Sequence, residues 1–426
     1  MARCNLRLVQ HFILVWVFFI QRDFYSHAFS TIHSSSTAKS QIQLTSSDLD
    51  SADVDVSKPM LQNRKISSVQ KYARLPVWPV FNGVILFLLS KLLPNSTIAK
   101  LEDSFGGRVC PNFFEGMSTS PFIMLVHHKH SFASFDPIRY FQKQLILPEG
   151  FPAHPHRGFI TLTYCINGGM IHRDSLSIKQ TYGAESRHKG NVAQWLVAGA
   201  GLLHEEMWDI DHGKDGIFSN QELFQLWVNL PMGSKMESPR LSLLNLEGKQ
   251  SAEEGVVSIP TVETKDTKTI VLVGQYKDAL SDVETFSPMS ILHVQMKANS
   301  SWKMKLPPSY DTGIIYMRTG SAFLPSESSN DKYEIESHYT ANLSPYGENL
   351  DVEAGTDGAD FMLLVGQNLR EPFQAKGSMV MNTAEEINAA YNDYSLGKMG
   401  IPWDHNKSDA EWRDHIKNSP SMYRQK

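Results

Sequence analysis

Beyond residue 120 the chain alternates apolar and polar positions in short β-branched and aromatic runs, a pattern that predicts half-buried strands. Phe159-Ile160-Thr161-Leu162-Thr163-Tyr164 and Ala193-Gln194-Trp195-Leu196-Val197 are the clearest examples, and 223–230 closes this block. Glycines mark the turns between them, at Gly168-Gly169, Gly183, Gly190 and Gly199-Ala200-Gly201. A polar stretch over 233–268 has little periodicity and reads as a linker. Strand patterns then resume at 269–273, 290–295, 313–318 and 360–365. Near the end, Thr383 followed by Ala384-Glu385-Glu386-Ile387 predicts a helix capped by Thr383 and stopped near Gly397, placed to close the open end of a barrel. The expected fold class is therefore all-β, two β-barrels with a C-terminal helix.

The first hundred residues follow a different pattern. Arg3 and Arg7 precede an apolar run over 12–20 and a polar break, the order of a signal peptide. Ten of the eighteen residues over 30–47 are Ser or Thr, the composition of an unstructured processed segment. His27-Ala28-Phe29-Ser30 is similar to the signal-peptide junction of plastid proteins in algae with secondary plastids, so the expectation is entry to the secretory route, ending in a plastid or in an extracellular or endomembrane compartment. A second apolar stretch, 77–93, holds Pro79 and Lys91 and is short for a bilayer span; it is expected to be a half-buried helix or a membrane contact. The expected divisions are a targeting segment over 1–55, an extension over 56–115, a first barrel over 116–235, a linker over 236–268, a second barrel with its helix over 269–400 and a tail over 401–426.

Composition narrows the function. Forty Lys and Arg against 45 Asp and Glu give a net charge of -5, which removes nonspecific nucleic-acid binding from the expected roles. Cys4, Cys110 and Cys165 are too few and too scattered for a disulfide framework or a thiolate metal cage. Histidine is the informative residue. Nine of the sixteen lie between His127 and His212, while 269–374 has only His293 and His338, so one barrel is expected to hold the reaction site and the other to serve packing.

Within the first block, His154-Pro155-His156 places two imidazoles on one side of an extended chain, with Pro155 restricting the backbone between them. His204 and Glu206 repeat that spacing, and together the four offer three neutral nitrogens and one carboxylate to a divalent ion, leaving exchangeable positions for substrate or dioxygen. Iron(II) is the first choice; manganese, copper, nickel and zinc also suit such donors. Parity assigns Glu206 rather than Glu205 to the cluster, and Glu205 becomes a solvated side chain, a partner for Arg157 or a support for an imidazole. Gln194, Trp195, Arg157 and Asp174 read as mostly structural. His127-His128-Lys129-His130 reads as a hydrogen-bonded cluster, or as a substrate contact or proton shuttle should His128 or His130 face the cavity.

These same residues carry a resemblance. His154-Pro155-His156-Arg157-Gly158-Phe159, Gly190, Gln194-Trp195, Ala198-Gly199-Ala200-Gly201, His204, Glu206 and Gln225-Leu226-Trp227-Val228-Asn229-Leu230-Pro231 resemble the core of the pirin family, and Met381-Asn382-Thr383, Glu386-Ile387 and Tyr394 resemble its C-terminal segment. The resemblance spans about 116–400 and implies a bicupin, two jelly-roll-like cupin barrels, with metal in the first at His154, His156, His204 and Glu206. It implies two roles. One is oxidation of a flavonol or related phenol by dioxygen, in the manner of quercetin 2,3-dioxygenase; for that chemistry the Glu206 carboxylate, able to loosen from an ion and accept a proton, is the expected catalytic base. The other is a non-catalytic, iron-dependent redox sensor that binds a regulatory protein partner. Ile160 departs from the pattern, standing where many members have a glutamate.

Overall fold

The computed structural model describes residues 63–72, 75–77, 88–89, 91–94, 97, 107–114, 116–133, 150–211, 218–246, 255–328 and 331–418. The leader expected over 1–55 lies outside these residues. All that follows concerns the compact unit Pro59–Lys426.

The fold is the expected bicupin. In the first barrel an eight-stranded sheet runs in the order Val256–Ser258, Arg240–Asn245, Asn191–Val197, Phe159–Asn167, Phe218–Asn229, Phe122–Ala133, Gly107–Phe113 and Leu75–Val77. It packs on a four-stranded sheet of Gly150–His156, Leu202–Trp208, Gly169–Asp174 and Lys179–Gly183, through contacts such as Met170, Tyr182 and Trp208 against Cys165, Leu223 and Leu243. The second barrel is a nine-stranded sheet built around Thr312–Pro325 and Asn349–Gly366. The polar region read as a linker contains three short strands. Arg240–Asn245 and Val256–Ser258 extend the first barrel, and Thr261–Glu263 joins the second.

Alternation along the strands divides the two barrels chemically. On Phe159–Asn167, Ile160, Leu162 and Tyr164 enter a core shared with Ile291, Ile314, Tyr316 and Leu364 of the second barrel. The intervening Thr161 and Thr163 are buried on the opposite face. Ile160 thus packs between the barrels, on the face of its strand away from Thr161 and Thr163. In the second barrel the other face is mainly apolar: Ile315, Met317, Trp302, Phe361 and Leu363 fill it, with the buried Thr269 accepting from the Trp302 indole.

The segments flanking the barrels cross over. Ile66–Lys71, from the N-terminal extension, pairs with Tyr339–Leu343 of the second barrel, and the buried Arg64 donates from Nη2 to the Tyr310 carbonyl at 2.6 Å and from Nε to that of Gly347 at 2.8 Å. Helix α1 (Ala384–Ser395) has its expected cap, with Thr383 Oγ1 accepting from the Glu386 amide and Glu386 Oε2 accepting from the Thr383 amide. Ile387, Ala390 and Met399 pack on Leu203, so the segment covers the first barrel. A second helix, α2 (Asp409–Asn418), lies in the stretch read as a tail, where Trp403 and Trp412 pack together.

The expectation of membrane contact through 77–93 is corrected. Val77 belongs to Leu75–Val77, which pairs with Gly107–Phe113 at a sheet edge. Among the described residues no helix is long and apolar enough to cross a membrane. Residues 78–87 and 90 lie outside the described set.

Between the barrels the apolar core gives way to a polar chain with pseudo-twofold order. From the first barrel, His127 bonds Glu222 at 2.8 Å through Nε2 and Tyr316 of the second barrel at 2.9 Å through Nδ1. In the second barrel His293 bonds Asp360 at 2.9 Å and Tyr164 of the first barrel at 2.9 Å. Arg318 joins the halves, donating to Glu222 at 2.8 and 3.0 Å and to Asp360 at 2.9 Å. Against the upward push of burial, hydrogen bonds from His127 and Arg318 and the Arg318 charge hold the Glu222 carboxyl well below its ordinary range; His293, Arg318 and Gln295 lower that of Asp360. A carboxyl depressed on folding contributes stability above its unfolded pKa and loses it progressively as the pH falls from that value through its folded one. Arg318→Met leaves two buried carboxylates without their shared cation and should cost about 3 kcal/mol at neutral pH, with part of the loss recovered near pH 4 where a carboxyl can protonate. Denaturant melts across that range check this; equal stability of variant and parent at pH 7 would contradict it.

Candidate metal centre

The strand Gly150–His156 lies beside Leu202–Trp208, with His154 opposite His204 and His156 opposite Leu202. The register then slips, since Glu206 faces Phe151, so Pro152 and Ala153 together stand opposite Glu205. This is a β-bulge, and Pro152, which lacks an amide hydrogen, is suited to it. The bulge leaves the Pro152 carbonyl free to accept from His154 Nδ1 at 2.8 Å. That bond fixes the tautomer and leaves Nε2 with its lone pair.

The ligand atoms of His154, His156 and His204 all lie within 4.8 Å of one another. His154 Nε2 is 3.2 Å from His156 Nε2 and 3.1 Å from His204 Nε2. Nitrogens that share an ion at about 2.1 Å stand about 3.0 Å apart at right angles and about 3.4 Å apart at the tetrahedral angle, so the spacing fits a common cation. Burial lowers all three imidazole pKa values, those of His156 and His204 to well below the ordinary 6.5, with neighbouring imidazoles adding to the effect. At neutral pH each ring therefore offers a lone pair, and no proton need be displaced for metal to bind. The site is a histidine cluster able to coordinate a metal ion.

Glu206 is not in that cluster. It is 1% exposed, and its carboxylate is held by three neutral donors: Thr163 Oγ1 and Tyr182 Oη on Oε1, each at 2.9 Å, and Gln225 Nε2 on Oε2 at 2.8 Å. Its charge raises the His154 pKa against the desolvation, which places it in the electrostatic neighbourhood of the imidazoles. Thr163, Tyr182 and Gln225 were missed by sequence reasoning, although the alternation that puts Leu162 and Tyr164 between the barrels also puts Thr163 inside.

Glu205 is neither solvated nor paired with Arg157. It is buried, taking Arg173 Nη1 at 3.1 Å and His405 Nε2 at 2.9 Å, so the C-terminal segment braces the outer side of the strand that carries His204. Arg157 instead donates to the Ala200 carbonyl at 2.6 Å and to Asp393 of α1 at 2.9 Å. Asp174 accepts from the Leu176 and Ile178 amides and bonds His172, whose ring lies 5.4 Å from that of His204. Gln194 donates to Gln180, and Trp195 sits in the core between the barrels.

The histidine run over 127–130 divides by parity. His127 joins the chain between the barrels, while His128 and His130 are buried with Phe151, Phe132 and Trp208. Burial lowers the pKa of both, that of His130 to about 4, and they remain neutral. Lys235 is a further residue without a sequence signal. Its buried ammonium donates to the carbonyls of Gly158 at 2.8 Å and Val380 at 3.0 Å and to Asn229, fixing the turn that follows the His154-Pro155-His156 clip. Desolvation lowers its pKa to about 7.

Comparison with known proteins agrees with this fold. The Pirin family pattern matches residues 107–228, and the Pirin C-terminal cupin domain matches 291–400. A pirin-like protein of Solanum lycopersicum is 34% identical over 255 residues, 60% of this chain and 78% of its own. Pirin of Homo sapiens is 32% identical over 273 residues, 64% of this chain and 83% of its own. Among solved structures, a quercetin 2,3-dioxygenase from Acinetobacter baumannii is similar at a TM-score of 0.59 and 26% identity, covering 80% of this chain and 99% of its own.

The purified chain should take up one equivalent of a divalent transition metal, and His156→Ala should weaken binding by about a hundredfold or more; isothermal titration with unchanged affinity would contradict the cluster. Three imidazoles whose pKa values fall on folding favour the native state most above the ordinary 6.5 and less below it. The apoprotein should therefore lose stability on acidification from pH 7 to 5, and His156→Ala should flatten that slope.

Proposed function

Since the chain belongs to the pirin family, we propose that it is a metal-dependent oxidoreductase that uses dioxygen to oxidise a flavonol or related phenol inside its first barrel. The observation that carries this reading is the convergence of three neutral imidazole nitrogens in a polar interior, beside a second barrel whose interior is filled by apolar side chains. The likeness to a quercetin 2,3-dioxygenase supports the substrate class.

His154, His156 and His204 would hold the ion, with Glu206 as the fourth donor. Iron(II) is the first candidate, and manganese, copper, nickel and zinc share the donor preference. When bound, such an ion supplies Lewis acidity that favours the phenolate form of a substrate and, if redox active, electrons for dioxygen chemistry.

The remaining work falls to the side chains. A phenol entering the interior gives up its proton to the Glu206 carboxylate, whose charge acts on His154 of the triad. Thr163 and Tyr182 converge on one oxygen and Gln225 on the other, so the carboxylate is kept in one orientation while it accepts. Burial and the Glu206 charge push the Tyr182 phenol well above its ordinary pKa, so Tyr182 stays protonated and remains a donor. His172 and Asp174, 3.0 Å apart and fully buried, stiffen the adjacent strand.

Protein reconstituted anaerobically with iron(II) and given quercetin and oxygen should lose flavonol absorbance with release of carbon monoxide. Glu206→Gln should lower turnover by about a hundredfold or more. Metal-loaded protein that stays silent across a panel of phenols would remove the enzymatic reading and leave the non-catalytic metal sensor.

A further inference from the structure

The strand Phe218–Asn229 presents two chemically distinct faces. Phe224, Leu226 and Val228 enter the core between the barrels. Gln225 and Trp227 stand on the other face, and both keep partial exposure where Leu226 and Val228 are 1% and 0% exposed. Gln225 reaches Glu206. Two residues further on, the Trp227 indole stands edge-on to His156, with centroids 5.5 Å apart and planes at 71°, and lies 4.5 Å from the Phe159 ring. Val109, Met124 and Val126 pack beside it. One strand thus supplies the donor that orients the carboxylate and an aromatic wall against the imidazole cluster.

The indole also has an unmet requirement. Trp227 Nε1 is buried and has no hydrogen-bond partner among the described residues. A buried indole N–H normally finds an acceptor, because its hydration is lost on burial with nothing in return. Trp195 and Trp412 share this condition, but one lies in the core between the barrels and the other in the C-terminal segment. Trp227 differs in keeping partial exposure and in touching a residue of the metal cluster.

We propose that Trp227 is a substrate-binding residue whose indole N–H donates to a carbonyl oxygen of a planar phenol, while its ring, backed by the buried Phe159, provides an apolar wall. The inference rests on the phenol-oxidising reading above and sharpens it to a substrate class: flat polyphenols that carry a ketone oxygen. A site built to donate a hydrogen bond discriminates against an analogue lacking the acceptor, because the donor is then left unpaired. Aromatic shape alone would not give that selectivity.

The test is equilibrium binding of quercetin, and of catechin as a carbonyl-free polyphenol, to the metal-loaded protein without oxygen, for wild type and Trp227→Phe. The variant keeps an aromatic wall and deletes the donor. Quercetin affinity should fall about tenfold in the variant while catechin affinity stays within about twofold. Equal quercetin affinity for the two proteins would overturn the role of Trp227 and leave the enzymatic reading standing. Failure of wild type to bind quercetin would overturn the proposal, and failure to bind any phenol of the panel would remove the enzymatic reading as well. Should the variant not fold, wild-type protein loaded with zinc provides the same decision: the Trp227 indole proton resonance should move downfield with quercetin and stay in place with catechin. A resonance unmoved by bound quercetin would overturn the proposal.

Discussion

His154 Nε2 lies 3.2 Å from that of His156 and 3.1 Å from that of His204, so neutral imidazole lone pairs crowd one another, and burial opposes the usual relief of taking up a proton. A shared cation removes that conflict. The surrounding structure is arranged so that the rings cannot simply turn away. The bulge at Pro152 and Ala153 provides the carbonyl that orients His154, and Lys235 fixes the turn beyond His156. Arg173 and His405 hold Glu205, so the strand bearing His204 and Glu206 is clamped from its outer side.

The second barrel contributes through position rather than chemistry. Its interior is packed with apolar groups, and its interface face shares a core with the back of Phe159–Asn167 and Phe218–Asn229. Those two strands also present Thr163 and Gln225 to Glu206. The apolar contacts drive the barrels together, while the chain of Glu222, Arg318 and Asp360 fixes their register by leaving no low-energy alternative for buried charge. Each flanking segment packs on the barrel more distant in sequence, Ile66–Lys71 on the second and α1 on the first.

Much of this was legible from local rules. Strand alternation and parity placed His154, His156 and His204 on a common interior, and Thr383 marked the start of α1 through its capping pattern. Helix α2 also had a local signal that was overlooked: Ser408 and Glu411 have capping-box spacing, and Ser408 Oγ accepts from the Glu411 amide at 3.3 Å. Other features depend on contacts between residues far apart in sequence. Arg157 was one expected partner for Glu205, whose actual partners are Arg173 and, 200 residues away, His405. The hydrophobicity of 77–93 suggested a membrane, whereas Val77 belongs to a strand whose partner lies at 107–113. His127 and His128 are neighbours in sequence, yet strand parity sends one between the barrels and the other among Phe151 and Trp208.

The central claim is that one ion is held by His154, His156 and His204 together. X-ray absorption at the metal edge of the iron-loaded protein measures this directly. The account predicts a single nitrogen and oxygen shell at about 2.1 Å with outer-shell scattering from three imidazoles, falling to two in His204→Ala. A spectrum with one imidazole or none, or one unchanged by that substitution, would contradict it.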